Sequence, residues 1–172
     1  NTISKFTCEG VTSDKEQNKI GEYLISAYKD AKEIGSLLPI EKYDYKVFTE
    51  YMNSLTVSGQ LTLESDYWFE ETLPTMKKIV KQTLMMSDKF AVVCTNPPYM
   101  NKLEGQLKKF VVEEYKPYKG DLFSVFMFKN FDYCKPNGYS AFMTPFVWMF
   151  IKTYQQLRNY IIEQKSITTL VQ

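Results

Sequence analysis

The 172 residues are enough for one compact domain, and a content of 44% hydrophobic and 16% aromatic residues supports a packed core rather than a disordered chain. Lys and Arg total 21 against 20 Asp and Glu, so a net charge of +1 excludes the strongly basic character of a duplex-binding module, and the absence of histidine excludes His-containing zinc sites and His-based triads. No apolar run approaches the ~20 residues of a membrane span and no signal-peptide pattern opens the sequence, while Cys8, Cys94 and Cys134 lack close spacing and read as buried thiols of a cytoplasmic protein without a metal.

Taken in chain order, Ser13, Asp14, Lys15 and Glu16 have capping-box spacing. Ile20, Leu24, Ala27, Ala31 and Ile34 then recur at helical intervals up to Gly35, which predicts one amphipathic helix over residues 14–34. Residues 37–40 interrupt it, Tyr45, Phe48, Tyr51 and Met52 give a shorter helix, and Ser58, Gly59 and Gln60 mark a turn. Tyr67, Trp68 and Phe69 sit in an acidic stretch and are expected to pack locally. Pro74 suits the first residue of a third helix carrying Ile79, Val80 and Leu84.

From about residue 88 the pattern becomes α/β. Residues 90–95 form a nearly continuous apolar run with β-branched members, as a buried parallel strand requires, and run straight into Asn96, Pro97, Pro98 and Tyr99. After a lysine-rich segment, Asp121 opens a helix with Leu122, Val125, Phe126 and Phe128 on its apolar face. Lys135, Pro136, Asn137 and Gly138 predict a tight turn into a strand over 139–144, which completes a βαβ unit. Thr153 is expected to cap a helix to about Gln164, and residues 167–171 read as a third strand, with the sequence stopping at Gln172. The expected organisation is a mainly helical segment over 1–87, then three parallel strands with crossover helices over 88–172. Three strands are few for a doubly wound sheet, so the sequence reads as an interior piece, truncated at both ends.

Ligands of open α/β sheets bind at the carboxyl ends of the strands, where residues 96–99 fall. Two prolines fix φ and remove two donors, so the loop is stiff, and Asn96 before them is steered away from the helical region. The Asn96 side-chain oxygen and the Pro97 carbonyl then form a rigid row of acceptors, suited to the two hydrogens of an exocyclic amine. Such an amine is a poor nucleophile until its nitrogen is drawn toward tetrahedral geometry, and bonds to both N–H groups favour that state. Tyr99 offers a flat face for a planar target, which in a duplex must be flipped out to reach it. A proline-stiffened connector is the plainer reading of the same four residues.

With these residues in place the sequence resembles the gamma-type amino-methyltransferases of DNA adenine, whose Asn-Pro-Pro-Tyr loop follows the fourth strand of a Rossmann-like sheet. The segment GDLFSVFMFKNFDYCKPNGYSAFMTP looks like that family's next helix and strand. More narrowly, AKEIGSLLPIEKYDY, FAVVCTNPPYMNK and TPFVWMF are similar to the large adenine-specific methyltransferases of bacterial BREX phage defence, the PglX type. The resemblance implies N6-methylation of adenine in DNA with S-adenosylmethionine as co-substrate and no metal. It also implies possible restriction or defence subunits as further partners and no membrane. Asn96, Pro97, Pro98 and Tyr99 would bind and orient the flipped adenine, and Asp121, Leu122 and Phe123 would lie near the cofactor's adenine. Asp121 is also an ordinary helix cap followed by two core residues.

The family's glycine-rich cofactor loop has no counterpart in residues 1–87, where Gly10, Gly21, Gly35 and Gly59 are scattered, so residues 1–172 alone are expected to be inactive. Lys102, Lys108 and Lys109, with Lys116 and Lys119, could meet phosphates beside the target. Diluted by Glu104, Glu113 and Glu114, they fit a solvated surface equally well. Phe146, Trp148, Met149 and Phe150 read as core in preference to a wall of the site. The same loop chemistry also suits a protein glutamine or a guanine amine in RNA, and a noncatalytic nucleic-acid-binding or scaffold module is the reading from another class.

Overall fold

The computed structural model describes residues 3–171. Two compact units divide at residues 88 and 89, and residues 1, 2 and 172 of the two expected segments lie outside the described residues.

In the first unit, helix α1 (Lys15–Ala27) is capped by Asp14, not Ser13. Asp14 Oδ1 accepts from the backbone N–H of Glu16 at 2.9 Å and of Gln17 at 3.0 Å, satisfying donors that a helix start leaves orphaned. The single helix expected over 14–34 is broken after Ala27 and resumes as the short α2 (Ala31–Ile34). The cause is tertiary: the Tyr28 hydroxyl pairs with Thr83 Oγ1 at 2.8 Å, 55 residues away, and its backbone leaves the helical region. Helix α3 (Tyr45–Ser54) is capped by Asp44 and buries Tyr45, Phe48 and Met52.

A capping box between Thr62 and Ser65 opens α4 (Leu63–Tyr67), which runs through a π turn (Trp68–Thr72) into α5 (Leu73–Ser87). The third helix expected from Pro74 is α5, which holds the proline in its first turn and is continuous with α4 through the π turn. The wide turn before it carries the ladder to Leu73, whose N–H bonds Trp68 O, so the proline's missing donor falls where the ladder is already offset. The core of this unit is aromatic. The Phe6 ring lies 5.4 Å from Phe48 and 5.6 Å from Trp68, whose buried Nε1–H donates to Phe6 O at 2.6 Å. Tyr67, by contrast, is exposed.

In the second unit, β1 (Phe90–Thr95) and β2 (Cys134–Phe142) pair in parallel, with α6 (Gly105–Glu114) and α7 (Leu122–Asp132) between them and α8 (Gln155–Gln164) after them. Register runs from Val92 opposite Tyr139 to Thr95 opposite Phe142, with an irregularity between Phe90 and Val92. That irregularity absorbs residues 135–138: instead of a turn preceding the strand, they bulge within it. Asn137 takes the left-handed conformation that Asn tolerates, at φ 61°.

Gly138 is held against backbone. A Cβ there would stand 2.9 Å from Ala91 O and 3.0 Å from Lys135 O. Gly138→Ala is expected to cost about 1–3 kcal/mol through displaced carbonyls. Urea unfolding checks this, and an unchanged midpoint would show that the bulge yields freely.

Further expectations are corrected in this unit. The strand over 90–95 is not buried, since Val92 is 58% exposed. Residues 167–171 form no strand. Ile167, Leu170 and Val171 are exposed there, and β-propensity without a neighbouring strand's donors and acceptors does not make a ladder. The sheet among the described residues therefore has two strands, an α/β arrangement compatible with part of a methyltransferase sheet. The thiols are not uniformly buried either, with Cys8 inside, Cys134 intermediate and Cys94 exposed.

The aromatic core of the second unit gathers Phe123, Met127, Tyr154, Leu157 and Ile161, with Phe131, Phe142 and Trp148 packed against it. Of the four residues read as core after Pro145, Trp148 is half-buried and donates from Nε1 to Thr144 Oγ1 at 3.2 Å. Phe146 and Phe150 are exposed and touch each other, because the short turn at Phe146–Met149 presents only one side to the core.

Candidate active site

Residues 96–99 leave the carboxyl end of β1 beside the end of β2. The ladder continues one bond past the strands, from Met143 N–H to Thr95 O at 3.1 Å, and so fixes the residue that enters the loop. Pro97 is buried, whereas Asn96, Pro98 and Tyr99 are exposed, Tyr99 by 53%. A shallow concavity of about 380 Å³ at the strand ends is lined by Cys94, Thr95, Asn96, Ala141, Phe142 and Met143.

The Tyr99 hydroxyl donates toward two carbonyl oxygens, Asn96 Oδ1 at 3.1 Å and Met143 O at 3.0 Å. It therefore ties the loop's first and last residues to each other and to the end of β2. An amide oxygen has two lone pairs, so Asn96 Oδ1 retains a second acceptor site. The Tyr99 and Phe123 rings meet in a T-shaped contact, with centroids 6.3 Å apart and planes at 85°, a favourable aromatic geometry, and Tyr99 keeps about half its surface exposed.

Asp121, Leu122 and Phe123 are buried at 7%, 5% and 1% exposure. Asp121 is the N-cap of α7: its Oδ1 accepts from Phe123 N–H at 3.2 Å and also from Met100 N–H at 2.9 Å. The buried Tyr154 lies against Phe123, and its hydroxyl pKa is raised by burial and further by the negative charge of Asp121, so it stays a neutral phenol. Asp121, Leu122 and Phe123 line neither this concavity nor the one beside α6.

Lys102, Lys108 and Lys109 are all exposed. Lys108 joins Lys116 and Lys119 around a second concavity of about 360 Å³ floored by Leu103, Val111 and Val112, whereas Lys102 and Lys109 lie outside it. Helix α6, which carries Lys108 and Lys109, was missed in the sequence although Leu107, Phe110 and Val111 recur at helical spacing. The backbone groups of Met100 and Met143 were also missed. They hold the loop through main-chain atoms, which residue type does not reveal.

A doubly wound sheet of this kind would hold a nucleotide cofactor at a glycine-rich loop directly after a strand. Gly10, Gly35, Gly59 and Gly105 have positive φ, and none of them directly follows β1 or β2. No strand-to-glycine-loop cradle for a nucleotide cofactor is therefore present among the described residues. No described helix is long and apolar enough to cross a membrane.

A family model described as Eco57I restriction-modification methylase matches residues 7–172. The adenine-specific methyltransferase BrxX of Escherichia coli O9:H4 (strain HS) is 27% identical over 160 residues, covering 92% of this chain and 13% of that protein. The adenine-specific methyltransferase PglX of Lacticaseibacillus casei (strain Zhang) is 31% identical over 140 residues, covering 79% of this chain and 12% of that protein. The chain thus spans about an eighth of the length of these curated relatives.

Proposed function

This chain belongs to the Eco57I restriction-modification methylase family, and on that premise we propose that residues 96–99 receive a flipped adenine and orient its N6 for methylation within a full-length, S-adenosylmethionine-dependent DNA methyltransferase of restriction or phage defence. The observation that carries the reading is the tied loop at the ends of two parallel strands, with Asn96 exposed beside an open concavity.

Asn96 Oδ1 accepts one N–H of the amine through its remaining lone pair, and the Pro97 carbonyl accepts the other. Bonds to both hydrogens strengthen as the nitrogen leaves the plane of the base, so they favour the transition state over the ground state. The Tyr99 hydroxyl sets the orientation of the Asn96 amide while its ring stacks on the base. The role assigned to this chain is confined to the amine. Exposed lysines of α6 and of the segment around it meet phosphate beside the target, and their contribution falls with salt. Free thiols, one of them exposed, suit a reducing cytoplasm.

The test incubates the full-length protein with labelled S-adenosylmethionine and unmethylated DNA, then digests the DNA and identifies the labelled nucleoside. N6-methyl-2′-deoxyadenosine is the expected labelled nucleoside. Label that stays off DNA but enters protein glutamine or RNA guanine when these are offered in parallel would replace adenine as the substrate, and failure to bind S-adenosylmethionine in a parallel equilibrium measurement would leave a scaffold role.

A further inference from the structure

The bond from Met100 N–H to Asp121 Oδ1 spans 21 residues and is not needed to cap a helix. Capping requires only that the side chain accept from the first turn, which the bond from Phe123 N–H already does. Helix α7 returns a second bond, from Leu122 N–H to Met100 O at 2.9 Å. Both backbone groups of Met100, the residue immediately after Tyr99, are thus held by the start of α7. The entering residue Thr95 is held by Met143, so residues 96–99 are suspended between two fixed points. The ring of Phe123, the second residue of α7, meets the Tyr99 ring in a T-shaped contact.

We propose that Asp121 is the positioning residue of the amine-binding loop: its carboxylate clamps the exit of residues 96–99 to the N-terminus of α7 and so fixes where Asn96 and Tyr99 stand relative to the target nitrogen. This role rests on the reading of residues 96–99 as the catalytic loop. Misplacement by about an ångström of a group that orients a reacting atom costs about 100-fold in rate. The clamp needs an acceptor at the reach of an Asp side chain and does not need the charge. Asn supplies that acceptor; Ser still caps the helix, but its oxygen is one bond too short to reach Met100 and Phe123 together.

The experiment compares Asp121→Ser and Asp121→Asn with the unaltered full-length enzyme, reading kcat, KM for DNA, cofactor dissociation constant and hydrogen exchange of the Met100 amide. Asp121→Ser is expected to lower kcat by about 100-fold and to speed Met100 exchange about tenfold, with cofactor affinity unchanged. Asp121→Asn is expected to restore kcat to within about fivefold and to slow the exchange again. A serine variant with unaltered kcat and exchange would reduce Asp121 to a cap. Loss of cofactor binding in both variants would make it a cofactor ligand. If Met100 exchange responds as stated but Asn96→Ala is fully active, the clamp stands as structure and the catalytic reading of the loop is what fails.

Discussion

Asn96→Ala in the full-length protein is expected to lower kcat for methyl transfer by about 100- to 1,000-fold, the usual cost of removing one preorganised hydrogen-bonding group from a transition state. The substitution deletes the side-chain acceptor and also releases the Tyr99 hydroxyl from one of its two tethers. The fall should appear in kcat more than in KM, because the bond to the amine strengthens as the nitrogen becomes tetrahedral. Cofactor affinity should hold, since the contact removed is one to the amine. Single-turnover transfer at saturating cofactor makes the measurement. A variant within threefold of the unaltered rate would remove Asn96 from the chemistry.

The largest structural effect is expected at Phe6, whose side chain is fully buried between Phe48 and Trp68. Phe6→Ala should destabilise the first unit by about 3–5 kcal/mol, combining lost apolar burial with the cavity left behind. Urea unfolding followed by Trp68 fluorescence, in a background where Trp148 is replaced by Phe, reads this unit alone. Gly21 sharpens the test, because a Cβ there would stand 2.2 Å from the Phe6 ring. Gly21→Ala should therefore destabilise the intact core by overpacking yet cost much less when Phe6 is already Ala. Equal costs in the two backgrounds would show that the Phe6 ring moves aside freely.

Much of the second unit was legible because its signals are local. The apolar run over 90–95, the proline pair after it and the Asp121 cap each act within a few residues, and the strand–loop–helix–strand order follows from them, whereas the turn expected at residues 135–138 is a bulge set by pairing with β1. The resemblance to adenine-specific methyltransferases rests on these segments and on residues 31–45 of the first unit, and the family match bears it out. Features governed by distant contacts were not legible. Helix α1 stops at Ala27 because Tyr28 is drawn to Thr83, and no periodicity in residues 14–34 records that. Residues 167–171 carry β-branched side chains but meet no pairing strand, and pairing is a property of a neighbour.

The candidate site divides in the same way. Asn96 and Tyr99 were visible as residue types, while the bond between them and the Met143 carbonyl that completes the tie were not. Asp121 was visible as a cap. Its hold on Met100 depends on how the loop returns to α7 across 21 residues.

The most direct test of the account is to place a photoactivatable 5-iodouracil at the DNA position found to carry the methyl group, irradiate it with the full-length protein, and map the crosslinked peptide. Stacking of the flipped base on an exposed aromatic face predicts attachment at Tyr99. Attachment outside residues 96–99, by a protein that still methylates that position, would contradict the account.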